Sequence, residues 1–230
     1  YLFDCCESLL VCPELDLPVC TNLSYCFSSC KALTSTIPYH FSKVNNINRF
    51  YNGCNSLTFI EPITSDATSL KVDSFAQGCN GLISVAAPVC INGHLNSDAN
   101  NVGVMWNTSG SSHPMKTITN AIDVFSMSYE LSNQILGSSY LENVTLSGLK
   151  AALTLNNKPY LTSFRLENPQ SSMANLTITN CALDTDAINQ LFEDLPTVTT
   201  TRTINIKGNP GAETCDRSIA TAKNWTVVYI

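Results

Sequence analysis

The sequence predicts an α/β repeat solenoid, a stack of similar coils that share one continuous core. Two observations favour this fold. Four cysteines, Cys6, Cys30, Cys54 and Cys79, recur at a nearly constant spacing of two dozen positions, and each lies in the same local pattern. With 230 residues, the chain is also long enough to form one elongated repeat domain. A single coil cannot bury its own apolar face, so stacking of the coils is what would stabilise the fold.

The pattern around each repeat cysteine is simple. An aromatic or apolar residue lies four positions before the cysteine, a leucine lies three positions after it, and a proline follows seven to nine positions after it. A period of about 24 residues fits one coil of a leucine-rich repeat, in which a short strand and a return segment stack on the next coil. Since stacked strands lie ~4.8 Å apart, we expect the repeat cysteines to form an interior ladder of small buried hydrophobes.

The pattern changes in the second half of the chain. From about Cys90 to Ser139 the period is lost in a polar stretch, which indicates either an irregular insertion or a divergent coil. Leucine-rich phrases resume between positions 141 and 183, and the last of them places Cys181 in the ladder position. The step from Leu166 to Ile178 is only half of the repeat period, too short for a full coil. One of these strands is therefore expected outside the main register.

The segment from Asp184 to the C-terminus predicts mixed secondary structure. Asp184 is a suitable cap for a helix over 185–195, which has apolar residues at 188, 191, 192 and 195 and is ended by Pro196. Glu193 and Asp194 are expected on its exposed side. A strand at 203–206, a turn at 208–211, a short helix at 216–223 and a strand at 225–230 should follow. Such an ending suits a cap that shields the last coil from water.

The domain organisation that follows is one continuous solenoid. It comprises N-terminal leucine-rich repeats at 1–90, an irregular insertion or divergent coil at 91–139, C-terminal leucine-rich repeats at 140–183 and a C-terminal cap at 184–230.

The Phe-x-x-x-Cys-x-x-Leu-x-x-x-x-Pro units resemble the BspA-type leucine-rich repeats of bacterial surface proteins. The ending, from Ala187 through Gly208 and Pro210 to Trp225, is similar to the C-terminal cap of such domains in Bacteroidales proteins and tailed-phage virion proteins. The resemblance covers roughly positions 1–90 and 140–230. It implies a right-handed solenoid with a parallel β-sheet on one face, few short helices, and a role in adhesion or host recognition. The family offers no shared catalytic residues to transfer.

Composition narrows the range of partners. The net charge is -6, and the 12 Lys and Arg residues are scattered, so nucleic acid is not an expected partner. No stretch approaches the roughly 18 to 20 apolar residues that cross a bilayer, so we expect no membrane insertion by this segment. Charged residues are only 13% of the chain, as in many extracellular and virion β-proteins. A start on tyrosine, without the basic end of a signal peptide, indicates a fragment or processed product.

Residues that carry chemistry are sparse. His40, His94 and His113 are the only histidines, and no nucleophile motif, phosphate-binding loop or metal-binding helix accompanies them. Cys26 and Cys30 are the nearest approach to a metal pair, but no second pair follows. We therefore expect no enzyme activity, no catalytic residue, no cofactor and no metal. A disulfide remains open among Cys5, Cys12, Cys20, Cys26 and Cys90.

Exposed aromatic residues are the better candidates for function, because they can stack on a sugar ring or anchor a protein interface. Tyr39 and Tyr51 are included among the aromatic residues expected to be exposed. Any one of these aromatic side chains can instead pack in the hydrophobic core. The candidate ligand contacts are Trp106, Asn107, His113, Tyr129, Tyr140 and Tyr160.

Three functions remain open at this point. The first is a recognition module, such as a domain of a phage tail fibre, another virion appendage or a bacterial surface adhesin, that binds a host-surface glycan or protein. The second is a structural virion subunit that packs on other virion subunits and has no external ligand. The third is a carbohydrate-active enzyme, which would need acids converging in a cleft. The first two place the chain on a virion or a cell surface.

Overall fold

The chain folds as a parallel β-solenoid with few short helices. The structure, a computed structural model, describes residues 1–92, 94–96, 116–119, 138–149 and 152–230. All strand pairings within this part are parallel. The strands are β1 Tyr39–Phe41, β2 Phe59–Ile60, β3 Ile63–Ser65, β4 Ser69–Lys71, β5 Ser84–Ala86, β6 Val89–Cys90, β7 His94–Asn96, β8 Thr117–Thr119, β9 Asn143–Ser147, β10 Leu153–Lys158, β11 Ser163–Glu167, β12 Leu176–Cys181, β13 Arg202–Asn205 and β14 Trp225–Val228. The helices are α1 Thr185–Asp194 and α2 Arg217–Thr221.

A five-stranded sheet in the order β11-β9-β8-β5-β2 forms the longest continuous element. Its register places one residue of each strand in an interior column. These residues are 0 to 1% exposed, and they are Ile60, Val85, Ile118, Val144 and Phe164. Branched and aromatic side chains fit the pleated surface of a strand and pack on the equivalent residue above and below. The column therefore joins the coils into one core.

The middle of the chain contributes to this sheet. Strand β8 pairs with β5 on one side and with β9 on the other, and β7 pairs with β4. Ile60, Val85 and Ile118 lie on successive strands of the sheet. The segment between Val85 and Ile118 is nevertheless longer than the segment between Ile60 and Val85. The sequence period is lost here because extra residues lie between strands that keep their register.

Smaller sheets complete the coils. The N-terminal coils carry a sheet in the order β1-β3-β6 and the pair β4-β7, whereas the C-terminal coils carry a sheet in the order β10-β12-β13-β14. Leu166 lies in β11 of the five-stranded sheet and Ile178 lies in β12 of the four-stranded sheet. The prediction that one strand of this region lies outside the main register is confirmed, because the short step between them joins two different sheets.

A turn segment in each N-terminal coil holds the repeat cysteine. The residue before that cysteine is left-handed in four successive coils, with φ of 61° at Cys5, 58° at Ser29, 73° at Gly53 and 79° at Gly78. The Gly53 amide donates to Gln77 O at 2.8 Å, one coil further on. Glycine suits this position because it adopts positive φ without a steric penalty.

Helix α1 begins where the sequence predicts. The Asp184 carboxylate accepts the Ala187 amide at 2.8 Å, and the helix buries Ile188, Leu191 and Phe192. The short helix α2 and the strands β13 and β14 also lie where the sequence predicts them. Their bounds differ from the prediction by one or two positions at most ends.

The prediction that Asp194 lies on an exposed helix face is wrong. Its side chain is 8% exposed and accepts Arg165 Nε at 2.6 Å and Arg165 Nη2 at 3.0 Å. It also accepts the Leu166 amide at 3.0 Å. The last turn of α1 packs against β11, and the carboxylate meets a strand arginine whose charge offsets its own. Glu193 is exposed, as predicted.

Asn209 attaches the C-terminal segment to the coil before it, and contacts of Gly211 and Trp225 hold the segment itself together. The buried Asn209 amide donates to Ile178 O at 2.8 Å and Ile206 O at 2.7 Å. A Cβ at Gly211 would lie 2.2 Å from Asp184 C, so only glycine fits there. The buried Trp225 indole donates to Pro196 O at 2.9 Å. Hydrogen bonds to buried carbonyl oxygens fix how the segment seats on the core.

Replacing Phe164 by alanine tests the interior column. Phe164→Ala should lower the free energy of unfolding by about 3 to 5 kcal/mol, because it removes a buried aromatic ring and leaves a cavity. Phe59→Ala is the matched control in the same sheet. Phe59 is 39% exposed, so we expect a change below about 1 kcal/mol. Equal losses in urea denaturation would show that the column does not carry the stability.

Candidate functional site

Two of the six predicted contact residues lie in the described part of the chain. Trp106, Asn107, His113 and Tyr129 lie outside it. Tyr140 and Tyr160 are described, and the structure brings them together. Their ring centroids are 6.2 Å apart and the planes differ by 8°. The two residues are 44% and 54% exposed, so the pair is open to solvent.

Register between coils explains this pair. Tyr140 lies three positions before β9 and Tyr160 three positions before β11, and Asn143 pairs with Ser163 in the parallel ladder. Equivalent positions on adjacent coils are superimposed along the stack. The two tyrosines are separated along the sequence by the same number of residues as Asn143 and Ser163. That spacing was visible in the sequence as a signal that the two rings are neighbours.

Buried groups hold the segments that carry the tyrosines. Leu141 and Leu161, which directly follow the two tyrosines, are 0% exposed. The Ser138 hydroxyl accepts the Tyr140 amide at 3.1 Å, and Ser138 O accepts Lys158 Nζ at 2.9 Å. Burial lowers the pKa of Lys158. The backbone under the tyrosine pair is thus anchored before any ligand arrives.

The tyrosine pair is suited to binding rather than to reaction. Two nearly parallel exposed rings offer apolar faces and two hydroxyl groups, a combination that can stack on a sugar ring or receive a protein side chain. Beside the pair, Glu142 accepts Lys116 Nζ at 2.7 Å, with both side chains about half exposed. Polar groups next to an aromatic surface can orient a ligand that the rings hold.

Tyr39 and Tyr51 do not belong to any exposed surface, and the prediction that they are exposed is wrong. They are 5% and 0% exposed. Tyr51 meets Phe50 edge-on, with centroids 4.7 Å apart, and the Tyr39 hydroxyl donates to Pro13 O at 2.6 Å. Tyr39 can close the N-terminal core because its hydroxyl finds a backbone acceptor there.

The ladder cysteines of the inner N-terminal coils are buried, and each thiol is within hydrogen-bonding distance of a carbonyl oxygen in the preceding coil. The distances are 3.1 Å from Cys30 Sγ to Phe3 O, 3.0 Å from Cys54 Sγ to Phe27 O and 3.0 Å from Cys79 Sγ to Tyr51 O. A cysteine here fills a small apolar space and also satisfies a carbonyl oxygen.

Two predicted ladder members differ from these three. Cys6 is exposed and lies at the N-terminal end of the described coils. Its assignment to the buried interior was wrong. Cys181 is buried, but it lies in β12 of the C-terminal sheet and its thiol contacts Thr179 O at 3.4 Å, within its own strand. Its surroundings are therefore not those of the N-terminal ladder.

The buried thiols are chemically quiet. Burial raises the pKa of Cys12, Cys26 and Cys30 to about 12. A thiol is a nucleophile or a metal ligand only as the thiolate, so these cysteines are poor candidates for either role. All eleven cysteines are free thiols. Within the described ranges, no group of three or more His, Cys, Asp or Glu side chains could hold a metal ion.

One acid–base contact was missed by the sequence analysis. His40 Nε2 lies 3.2 Å from Asp66 Oδ2, and His40 Nδ1 lies 2.9 Å from Thr64 Oγ1. The register pairs His40 with Thr64 of the next coil, so the repeat period was the signal for it. The imidazole is 59% exposed, and contacts in open solvent contribute little energy.

Comparisons with known proteins returned no relative: no family model, curated protein or solved structure matches the chain. Among the described helices, neither is long and apolar enough to cross a bilayer. The functional interpretation therefore rests on the geometry of this chain.

Thiol labelling tests the burial of the cysteines. At pH 8 a thiol-reactive dye should modify Cys5 and Cys6 quickly and Cys20 more slowly, because only these three are exposed or partly exposed. The remaining, buried cysteines should react only after unfolding in denaturant. Mass spectrometry of the labelled peptides identifies the sites. Rapid labelling of Cys54 in the folded protein would contradict the packing described here.

The raised thiol pKa values predict alkaline destabilisation. In the unfolded chain, thiols lose their protons near the ordinary pKa of 9.0, whereas folded Cys26 keeps its proton to about 12. The unfolded state therefore binds fewer protons between these values, and stability falls as pH rises from about 9 towards 12. Thermal melting at pH 7 to 11 measures the slope. A Cys26→Ala variant should show a shallower slope, whatever its stability at pH 7.

Proposed function

We propose that this chain is a non-catalytic, leucine-rich-repeat recognition module of the BspA type, which binds a glycan or a protein on a host-cell surface. It would act outside the cell, as a domain of a phage tail fibre, another virion appendage or a bacterial surface adhesin. The observation that carries the proposal is the pair of exposed, nearly parallel tyrosine rings, Tyr140 and Tyr160, on adjacent coils.

The geometry of the pair supports binding of a sugar. Large exposed aromatic surfaces cost free energy in water, and a ligand that covers them recovers it. Stacking requires little ordering here, since the buried Leu141 and Leu161 already fix the backbone beside each ring. Rigid aromatic contacts of this kind dominate many recognition surfaces. A flat sugar face or an apolar protein side chain can occupy the pair.

The repeat identity is supported by the recurrence of the same packing in each N-terminal coil. Buried leucines lie three positions after the ladder cysteines, at Leu33, Leu57 and Leu82, all 0% exposed. We infer that the segment after Asp184 is the C-terminal cap of a right-handed solenoid. Its buried Asn209 amide donates to Ile178 O of the last coil and so joins the segment to the stack, which is what a cap must do.

The segment at 91–139 belongs to the same proposal. Trp106, Asn107, His113 and Tyr129 remain predicted contact residues, because loops vary without breaking a stacked core and often carry function. Strand β8, which belongs to this segment, pairs with β9, the strand that begins three positions after Tyr140. We therefore expect residues of this segment to contact a ligand that the tyrosine pair holds.

Tyrosine substitutions test the proposal. On a glycan array and against host envelope extracts, the chain should bind a ligand that Tyr140→Ala and Tyr160→Ala weaken at least about tenfold, because each removes one stacking ring. Val19→Ala, which truncates a residue 78% exposed, is the control and should bind normally. Circular dichroism confirms that each variant is folded.

Two results would contradict it. Ligand binding that survives in the Tyr140→Ala, Tyr160→Ala double variant would remove the tyrosine pair from the site. An intact protein that binds no host glycan and no envelope protein would favour the structural virion subunit instead.

A further inference from the structure

A second surface cluster, with Arg49 exposed, Tyr25 half-buried and Ser74 buried, lies on the N-terminal coils, far along the chain from the tyrosine pair. Tyr25, Arg49 and Ser74 occupy equivalent positions on successive coils, and all three have left-handed backbones with φ of 61°, 55° and 53°. They border a groove of about 360 Å³ with Asn46, Asn48, Asp73 and Ser24. We propose that this groove binds a carboxylate-bearing sugar, with the Arg49 guanidinium as the group that receives the carboxylate.

Arg49 is held in place by Tyr25, a partner without a negative charge. Its Nη1 donates to the Tyr25 hydroxyl at 2.7 Å, and its guanidinium carbon lies 5.2 Å from the centre of the Tyr25 ring. Within the described residues Arg49 makes no ion pair. The Tyr25 ring is itself supported on Tyr1, with centroids 5.0 Å apart. A positioned and uncompensated guanidinium fits a planar carboxylate, which it can bind through two parallel hydrogen bonds.

Two asparagines add donors beside Arg49. The Asn46 side-chain oxygen accepts the Asn48 backbone amide at 2.9 Å, and the Asn48 side-chain oxygen accepts the Asp73 backbone amide at 2.8 Å. Because both oxygens are engaged by backbone N–H groups, the amide assignments are fixed and the two NH₂ groups remain as donors. In the described part of the chain, neither NH₂ group has a protein acceptor. Sugar hydroxyl and ring oxygens are suitable acceptors for them.

Asp73 decides which class of anion fits. Its carboxylate borders the same groove, and a carboxylate accepts several hydrogen bonds but donates none. A sulfate ion would bring a second negative charge and no hydroxyl hydrogen to this position. A sugar acid presents one carboxylate to Arg49 and only neutral hydroxyl groups to the side of the groove where Asp73 carries its negative charge. The mixed chemistry of the groove therefore favours a carboxylated sugar over a simple inorganic anion.

The ligand class has two common sources, hexuronic acids and sialic acids, and the experiment separates them. Calorimetric titrations of the whole chain use a glucuronate-containing disaccharide, N-acetylneuraminic acid, the neutral glucose counterpart of the disaccharide, and inorganic sulfate. We expect saturable binding of at least one acid, with the neutral sugar and sulfate at least about tenfold weaker. Which acid binds more tightly assigns the source. Equal affinity for sulfate, or no binding of either acid, would overturn the proposal.

Substitutions then place the ligand. Arg49→Gln keeps an NH₂ donor on a shorter side chain but removes the charge, so affinity for the acid should fall at least about tenfold. Tyr25→Phe keeps the ring and removes the hydroxyl that holds Nη1, and a loss of about two- to tenfold is expected. Lys43→Gln, which removes an exposed positive charge outside the groove, is the matched control and should bind as the unmodified chain does.

The outcome is independent of the tyrosine-pair proposal. Binding of the acid that is unchanged in Arg49→Gln but lost in Tyr140→Ala would overturn the groove and support the tyrosine pair. Loss in Arg49→Gln with normal binding in Tyr140→Ala would support the groove, whether or not the tyrosine pair has a ligand of its own.

Discussion

Parallel hydrogen bonding between coils places each side chain over its equivalent in the next coil, and the rest of the molecule depends on that registration. Where the equivalent residues are apolar, as in the column from Ile60 to Phe164, the result is a continuous core. Where they are polar or aromatic and face water, the result is a row of like or complementary groups at strand spacing. One constraint thus builds both the stability and the exposed surfaces of this chain.

The two proposed binding surfaces have the same origin. Tyr140 and Tyr160 are neighbours because their strands pair, and Tyr25 and Arg49 are neighbours because their coils stack. Each pair projects from backbone that is already held by hydrogen bonds between coils, so little conformational entropy is lost when a ligand binds. In both sites a separation of one coil along the sequence becomes a direct contact in space.

The sequence predicts the periodic part of this structure well, because a repeat period reports which residues are stacked. It does not report which way a stacked residue faces, and the errors follow from that. Tyr39 and Tyr51 proved to be buried, and Asp194 proved to contact Arg165 of an earlier strand. The Tyr25 and Arg49 pair was not predicted for a different reason. The two residues are one coil apart in the sequence, but neither belongs to the repeat pattern around the cysteines. The four-stranded sheet β10-β12-β13-β14 could be inferred only from the short spacing between Leu166 and Ile178.

The charge distribution is compatible with the proposed binding of an acidic ligand by an acidic chain. The net charge of the chain is -6, so the molecule as a whole repels anions. At physiological salt this repulsion is weak beyond about 8 Å, because dissolved ions screen it. Selection is then a matter of contacts within the groove. There Arg49 is fixed by Tyr25 and has no described ion pair, whereas Lys116, Arg165 and Lys31 are each matched to a carboxylate. A positioned cation that contacts no carboxylate gains more from an external carboxylate than a cation that already contacts one.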